Sequence, residues 1–211
     1  MVDKLKSLVQ MSEFIASNST QTYENWTHFL QFSGRFYKYT YDEQISIYFQ
    51  RPEATAVASY EIWNQQMRRY IKRGSVGIAV IDNSGNGTRL RYLFDIADTG
   101  TRQNSRTPNI WKMSREHEQA VAQDLEQRYG IPDDIGSLEN HLELLAMQKA
   151  SEYWEAHSGE IAGILDDSAL AVYDVDALGF NFRKAVSNST LYQLISRCLG
   201  NADDYFGFED F

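Results

Sequence analysis

Cysteine occurs once in 211 residues, at Cys198, so the chain has no intrachain disulfide and no cysteine cluster of the kind that holds structural zinc. Proline occurs three times, and there is no Gly/Ser linker, internal repeat or homopolymer, which excludes collagen-like and low-complexity classes. No stretch approaches the roughly 18 consecutive apolar residues of a membrane helix. The opening Met1-Val2-Asp3-Lys4-Leu5-Lys6 lacks the apolar core of a secretory signal. These absences predict a soluble, cytoplasmic protein with no membrane partner.

Catalytic and metal motifs are missing as well. His117-Glu118 begins like a zinc-protease helix, but Val121 stands where the second histidine would be, and His28, His141 and His157 have no ligand spacing. Asp133-Asp134, Asp166-Asp167 and Asp203-Asp204 are adjacent carboxylates that point apart on a strand or helix, and none lies in a calcium-loop pattern, so loop and helix-cap roles are expected. There is no phosphate-binding glycine loop and no serine in a nucleophile elbow. Cys198, between Ile195 and Leu199, reads as a small buried hydrophobe. The expectation is a non-enzymatic protein with no metal and no cofactor.

What the chain does contain is aromatic bulk and a lopsided charge distribution. Thirteen Tyr, eleven Phe and four Trp suffice for a packed core. Within an overall charge of −9, residues 60–113 carry nine Lys/Arg against four Asp/Glu, a net of +5. Residues 114–211 carry six against nineteen, a net of −13. The length fits two small domains, 1–113 and 114–211, or one compact domain. A basic middle beside an acidic half reads either as two solvated faces or as a polyanion site next to a solvating or regulatory region.

Periodicity predicts helices over 4–17, from a cap at Ser19 or Thr20 to about Tyr37, and from a cap at Asp42 to the Arg51-Pro52 exit. A short helix is expected from Ser59 to Asn64. The β-branched, glycine-punctuated stretch that follows predicts a hairpin over about 76–96, turning at Asn83-Ser84-Gly85-Asn86-Gly87. Alternation in its second strand sets Leu90, Tyr92, Phe94 and Ile96 toward the core and Arg89, Arg91, Leu93 and Asp95 on the other face. Helices should then run from Ser114 to Tyr129, ended by Gly130, and from Ser137 past Trp154. Shorter ones are expected near 159–165, 168–180 and 188–199. The fold class is α+β: amino-terminal helices, a small antiparallel sheet and an acidic helical region.

The candidate site is the basic segment. Arg68, Arg69, Lys72 and Arg73, with the Arg89/Arg91 pair, supply cations that can follow a phosphate backbone, and Trp63 and Tyr70 supply rings on which bases can stack. The alternative is that the aromatics are core and the cations protect an edge strand.

The succession Gln50-Arg51-Pro52, Trp63, Lys72-Arg73-Gly74, Gly77-Ile78 and Phe94-Asp95-Ile96 followed by Thr99 resembles the amino-terminal domain of ArdC-like antirestriction proteins. It is most similar to the version at the start of large multidomain proteins on conjugative elements of Firmicutes, where helicase-like and methylase modules follow. The resemblance covers Tyr23 to Trp111 and, more loosely, the acidic half, and the stop after Phe211 fits a truncated relative or an internal boundary of a larger chain. It implies single-stranded DNA as partner, with weak sequence preference. The family's protease motif has no match, so no peptidase activity is implied. For the acidic region 114–211 three roles compete: a solvated or autoinhibitory cap, a DNA mimic acting in antirestriction, and a module that docks a protein such as a helicase or methylase.

Overall fold

A computed structural model describes residues 2–82, 88–165 and 168–211. The expected turn Asn83–Gly87 and the Asp166-Asp167 pair lie outside the described residues. The architecture is α+β, and the chain divides into two units, Met1–Trp111 and Lys112–Phe211. Among the described residues no helix is long and apolar enough to cross a membrane.

The first unit opens with three helices, α1 (Val2–Ser19), α2 (Tyr23–Arg35) and α3 (Tyr41–Gln50). Two caps differ from expectation. Thr22 caps α2 by accepting from the Asn25 N–H, and Thr40, in a reciprocal box with Glu43, caps α3 two residues ahead of Asp42. Thr40 wins because Glu43 stands three residues after it and can return the bond to the cap's own N–H.

The helices cover one face of a three-stranded antiparallel sheet, order β1-β4-β3, with β1 Val57–Ser59, β3 Ile78–Asp82 and β4 Arg89–Asp95. Ile78 lies opposite Leu93, Val80 opposite Arg91 and Val57 opposite Asp95. The core joins Phe32, Phe36 and Ile47 of the helices to Val57, Ile78, Val80 and Leu93 of the sheet. The parity of β4 is therefore the reverse of the expected one. Leu93 and Asp95 are buried and Tyr92 is 42 % exposed. Apolar residues occupy both faces of this strand, so alternation alone favours the wrong one. What tips the balance is that each polar member of the inward face finds a partner, Asp95 in backbone donors, Arg91 in Glu43 and Arg89 in Asp82, although Arg91 Nε is buried without one.

Asp95 is the hub of this arrangement. Its Oδ2 accepts from the N–H of Thr55 (2.8 Å) and Ala56 (3.1 Å), and its Oδ1 from that of Ala97 (2.8 Å). The outer edge of β3 is closed by a side chain. Gln50 donates to the Ala79 carbonyl (2.8 Å) and accepts from the Ala79 N–H (2.9 Å), standing in for a neighbouring strand.

The second unit is helical: α4 (Arg115–Tyr129), α5 (Leu138–Leu165) and α6 (Val175–Cys198). Ser114 starts α4, which Gly130 ends in a left-handed conformation (φ 68°). Ser137 Oγ accepts the Asn140 N–H at the start of α5. The shorter helices expected within 159–165, 168–180 and 188–199 prove to be the end of α5, a 3-10 turn at Ala169–Val172 and one continuous α6 from Val175. Gly179 does not break α6; Trp154 of α5 packs where its Cβ would be, within 2.8 Å of that position.

Leu138, Leu142, Leu145, Ala146, Ala150 and Trp154 form the buried stripe of α5. His141 sits in it, with Nδ1 donating to the Ser137 carbonyl (2.8 Å) and Nε2 to Glu126 Oε1 on α4 (2.9 Å). Burial alone would lower its pKa. The bonds to the Ser137 carbonyl and to Glu126, with the Glu126 charge, outweigh burial and raise it above the ordinary 6.5. Because both ring nitrogens face acceptors, the imidazolium is the form that fits. A raised folded pKa contributes stability that is complete below the unfolded value and is lost as pH rises through the folded one. The urea midpoint of this unit is therefore expected to fall as pH rises above the ordinary histidine value of 6.5, and His141→Gln to flatten that fall. Parallel profiles for the two proteins would remove this role.

Candidate nucleic-acid interface

The short helix expected from Ser59 to Asn64 is present, opening at Tyr60 directly after β1 and winding as a π-helical turn over Ile62–Gln66. Its wide winding carries into the exit: Met67 N–H reaches the Ile62 carbonyl (3.0 Å) and Arg69 N–H the Trp63 carbonyl (2.8 Å). Arg68 reverses the chain from a left-handed conformation (φ 53°), uncommon for a residue other than glycine. Its carbonyl is fixed by Ser105 Oγ at 2.6 Å.

This reversal leads into β2 (Tyr70–Ile71), which pairs antiparallel with β5 (Thr99–Gly100), Tyr70 opposite Gly100 and Ile71 opposite Thr99. So short a ribbon needs side-chain support. Lys72 N–H donates to the Asp98 carbonyl (2.8 Å), Lys72 Nζ to the Ala97 carbonyl (2.9 Å) and Arg69 Nε to Thr99 Oγ1 (2.7 Å). The segment after β5 folds back on the turn before β2: Arg106 N–H donates to the Met67 carbonyl (2.8 Å) and Arg102 Nη1 to Asn64 Oδ1 (3.0 Å).

Two stretches of chain thus bring six cations to one two-stranded ribbon: Arg68, Arg69, Lys72 and Arg73 with Arg102 and Arg106. None has a carboxylate within 4 Å among the described residues. Asp98, the acid nearest in the ribbon, is paired with Arg51 at 3.0 Å. Alternation places Arg69 and Ile71 on one side of the strand and Tyr70 and Lys72 on the other, and Arg73 stands in the turn that follows. Arg69 is half-buried against Thr99; the other five cations are exposed.

Tyr70 is 43 % exposed, and its ring lies over Gly100, where a Cβ would collide with the ring edge. The Arg102 guanidinium is 5.8 Å from the ring centroid. Glycine at position 100 is what lets an aromatic ring lie flat across the ribbon with a cation beside it.

Two of the expected site groups are elsewhere. Trp63 is 2 % exposed, and its indole N–H donates to the Phe94 carbonyl at 2.7 Å. It is a core residue of the π-helical turn and has no face to offer a base. Arg89 and Arg91 sit toward the opposite end of β4. Arg89 is six positions from Asp95, about 20 Å of strand. Arg91 is ion-paired with Glu43, and Arg89 with Asp82 at 2.8 Å. With Thr40, Asp42 and Ile81 these four line a hollow of ≈ 590 Å³ holding three carboxylates and two guanidiniums, which is not a basic surface.

Arg102 and Arg106 belong to the cluster and were not among the sequence candidates. They contributed to the positive count of residues 60–113, but nothing local signals that a two-residue strand at Thr99–Gly100 returns them to Tyr70. Tyr92, expected inside, stands on the outward sheet face with Leu90 and Phe94.

Among the described residues no group of three or more His, Cys, Asp and Glu side chains could hold a metal ion. His117 Nδ1 contacts Ser114 Oγ at 2.9 Å, and Asp203 accepts from the Tyr192 hydroxyl at 2.6 Å. Burial raises the Cys198 thiol, with Arg197 opposing, which disfavours the thiolate a nucleophile needs. Compared with known proteins, the chain matches no family model, no curated protein and no solved structure.

Proposed function

We propose that the first unit is a non-enzymatic nucleic-acid-binding module that takes single-stranded DNA across the β2–β5 ribbon with weak sequence preference. The observation that carries this reading is six cations on the β2–β5 ribbon and its flanking turns, uncompensated by carboxylates among the described residues, together with an exposed tyrosine that has Arg102 beside its ring. Arg68, Arg69, Lys72, Arg73, Arg102 and Arg106 contact phosphates through donors not used within the fold, and Tyr70 stacks on a base, with Arg102 beside its ring. A single strand is favoured over a duplex because the exposed ring of Tyr70 offers a face on which an unpaired base can stack. The resemblance to the ArdC amino-terminal domain points the same way, toward an accessory domain of a mobile-element protein.

The reading is tested by competition. A labelled thymidine oligonucleotide of about 20 nucleotides should bind the full chain, and unlabelled single strand should displace it at lower concentration than duplex of equal length. Absence of binding at about 0.05 M salt, where phosphate contacts are strongest, would overturn it.

A further inference from the structure

The buried stripe of α5 stops at Trp154. From residue 155 to residue 178 no described residue is buried, although Ile161, Ile164, Leu165 and Leu178 lie there. The reason is a missing layer. At about 1.5 Å per residue, α5 runs about 42 Å and α4 about 22 Å. The His141–Glu126 contact fixes α4 beside the amino-terminal part of α5. The distal part of α5 has α6 along one side and no α4 along the other.

The gap is a groove of ≈ 730 Å³. Its walls are Ile161, Ile164 and Leu165 of α5 and Leu178, Phe182 and Ala185 of α6, and the carboxyl-terminal Glu209–Phe211 closes one end. Ile164 is 74 % exposed. From Leu178 to Ala185 the groove follows α6 for about 10 Å, or two helical turns. Glu160, Asp174, Asp176, Glu209 and Asp210 stand on or beside these segments, against Arg183 and Lys184. Over the whole unit, residues 112–211, seven Lys/Arg face nineteen Asp/Glu.

We infer that this groove is a docking site for a basic amphipathic helix of a partner protein, which supplies the third helix that α4 is too short to provide. Apolar side chains at i, i+3/i+4 and i+7 of that helix enter between α5 and α6, and its Lys and Arg residues meet the acidic rim. Charge decides the occupant: a second copy of so acidic a unit is repelled, and a nucleic acid more so. This surface belongs to the second unit and is independent of the DNA-binding reading.

The test uses the full chain and a synthetic Lys/Leu amphipathic peptide about 18 residues long, with a Glu/Leu peptide of the same apolar pattern as control. The Lys/Leu peptide should bind and the Glu/Leu peptide should not. Ile164→Asp adds a negative charge, so attraction to the acidic surface in general would hold or rise, whereas docking in the groove should weaken about tenfold or more. Phe180→Asp makes the same charge change about 200° around α6 from Leu178 and should leave the affinity unchanged. Equal affinity for Ile164→Asp and unmodified protein would overturn the proposal. So would a stable dimer in sedimentation that Ile164→Asp dissolves, since the occupant would then be a second copy.

Discussion

Charge reversal of Lys72 and Arg73 to Glu is expected to lower affinity for a single-stranded oligonucleotide by about 100-fold at about 0.1 M salt. Each phosphate contact to a single strand contributes about 0.7 to the slope of log K against log salt, so one decade below 1 M it is worth about fivefold. Losing two such contacts gives about 25-fold, and the repulsion of two new carboxylates accounts for the remainder. The fold should survive, because both side chains are exposed and Lys72 gives up one bond, to the Ala97 carbonyl. Arg89→Glu makes half that charge change on the same unit, about 20 Å along β4, at a group already paired with Asp82. It should leave binding within about twofold. A loss as large for Arg89→Glu as for the double reversal would mean that net charge, not the ribbon, governs binding.

Asp95→Ala is expected to be the most destabilising single substitution, at about 3–5 kcal/mol, since it strands three backbone donors at about 1–3 kcal/mol each, with partial relief by water. The N–H groups concerned belong to Thr55, Ala56 and Ala97, so the change loosens β1 and the connection into β5 together. Hydrogen exchange at the amides of Ile78, Val80 and Leu93 should accelerate accordingly, while those of α5 keep their protection. A variant with unchanged exchange in the sheet would show that the carboxylate is dispensable.

The α+β class could be read from the sequence because its largest signals are local. Pro52 ends a helix that Ile45 and Ile47 anchor, Gly130 ends α4, and β-branched residues change the period between Ile71 and Ile81. The misreadings share one cause: the deciding contact lies far along the chain. The end of α5 and α6 were expected as separate short helices, yet a glycine costs only about 1 kcal/mol in a helix, and packing on Trp154 favours continuity at Gly179. Trp63 looked like a stacking residue because its partner, the Phe94 carbonyl, is 31 positions away. The inward parity of β4 depends on Thr55, Ala56 and Glu43, none of which alternation considers.

The candidate site was readable in part for the same reason. Arg68, Arg69, Tyr70, Lys72 and Arg73 are contiguous, and their charge density is visible in any window. Arg102 and Arg106 join them only through pairing of Tyr70 with Gly100 and of the Met67 carbonyl with the Arg106 N–H. Arg89 and Arg91 fell away because Asp82 and Glu43 meet them across the sheet and from α3.

The measurement that tests the central claim most directly is fluorescence anisotropy of a labelled single-stranded oligonucleotide with the full chain across a salt series. Six phosphate contacts predict a slope of log K against log salt near about −4, and the Lys72/Arg73 reversal should reduce it by about 1.4. A slope near zero, or one that the reversal leaves unchanged, would contradict a phosphate-binding ribbon.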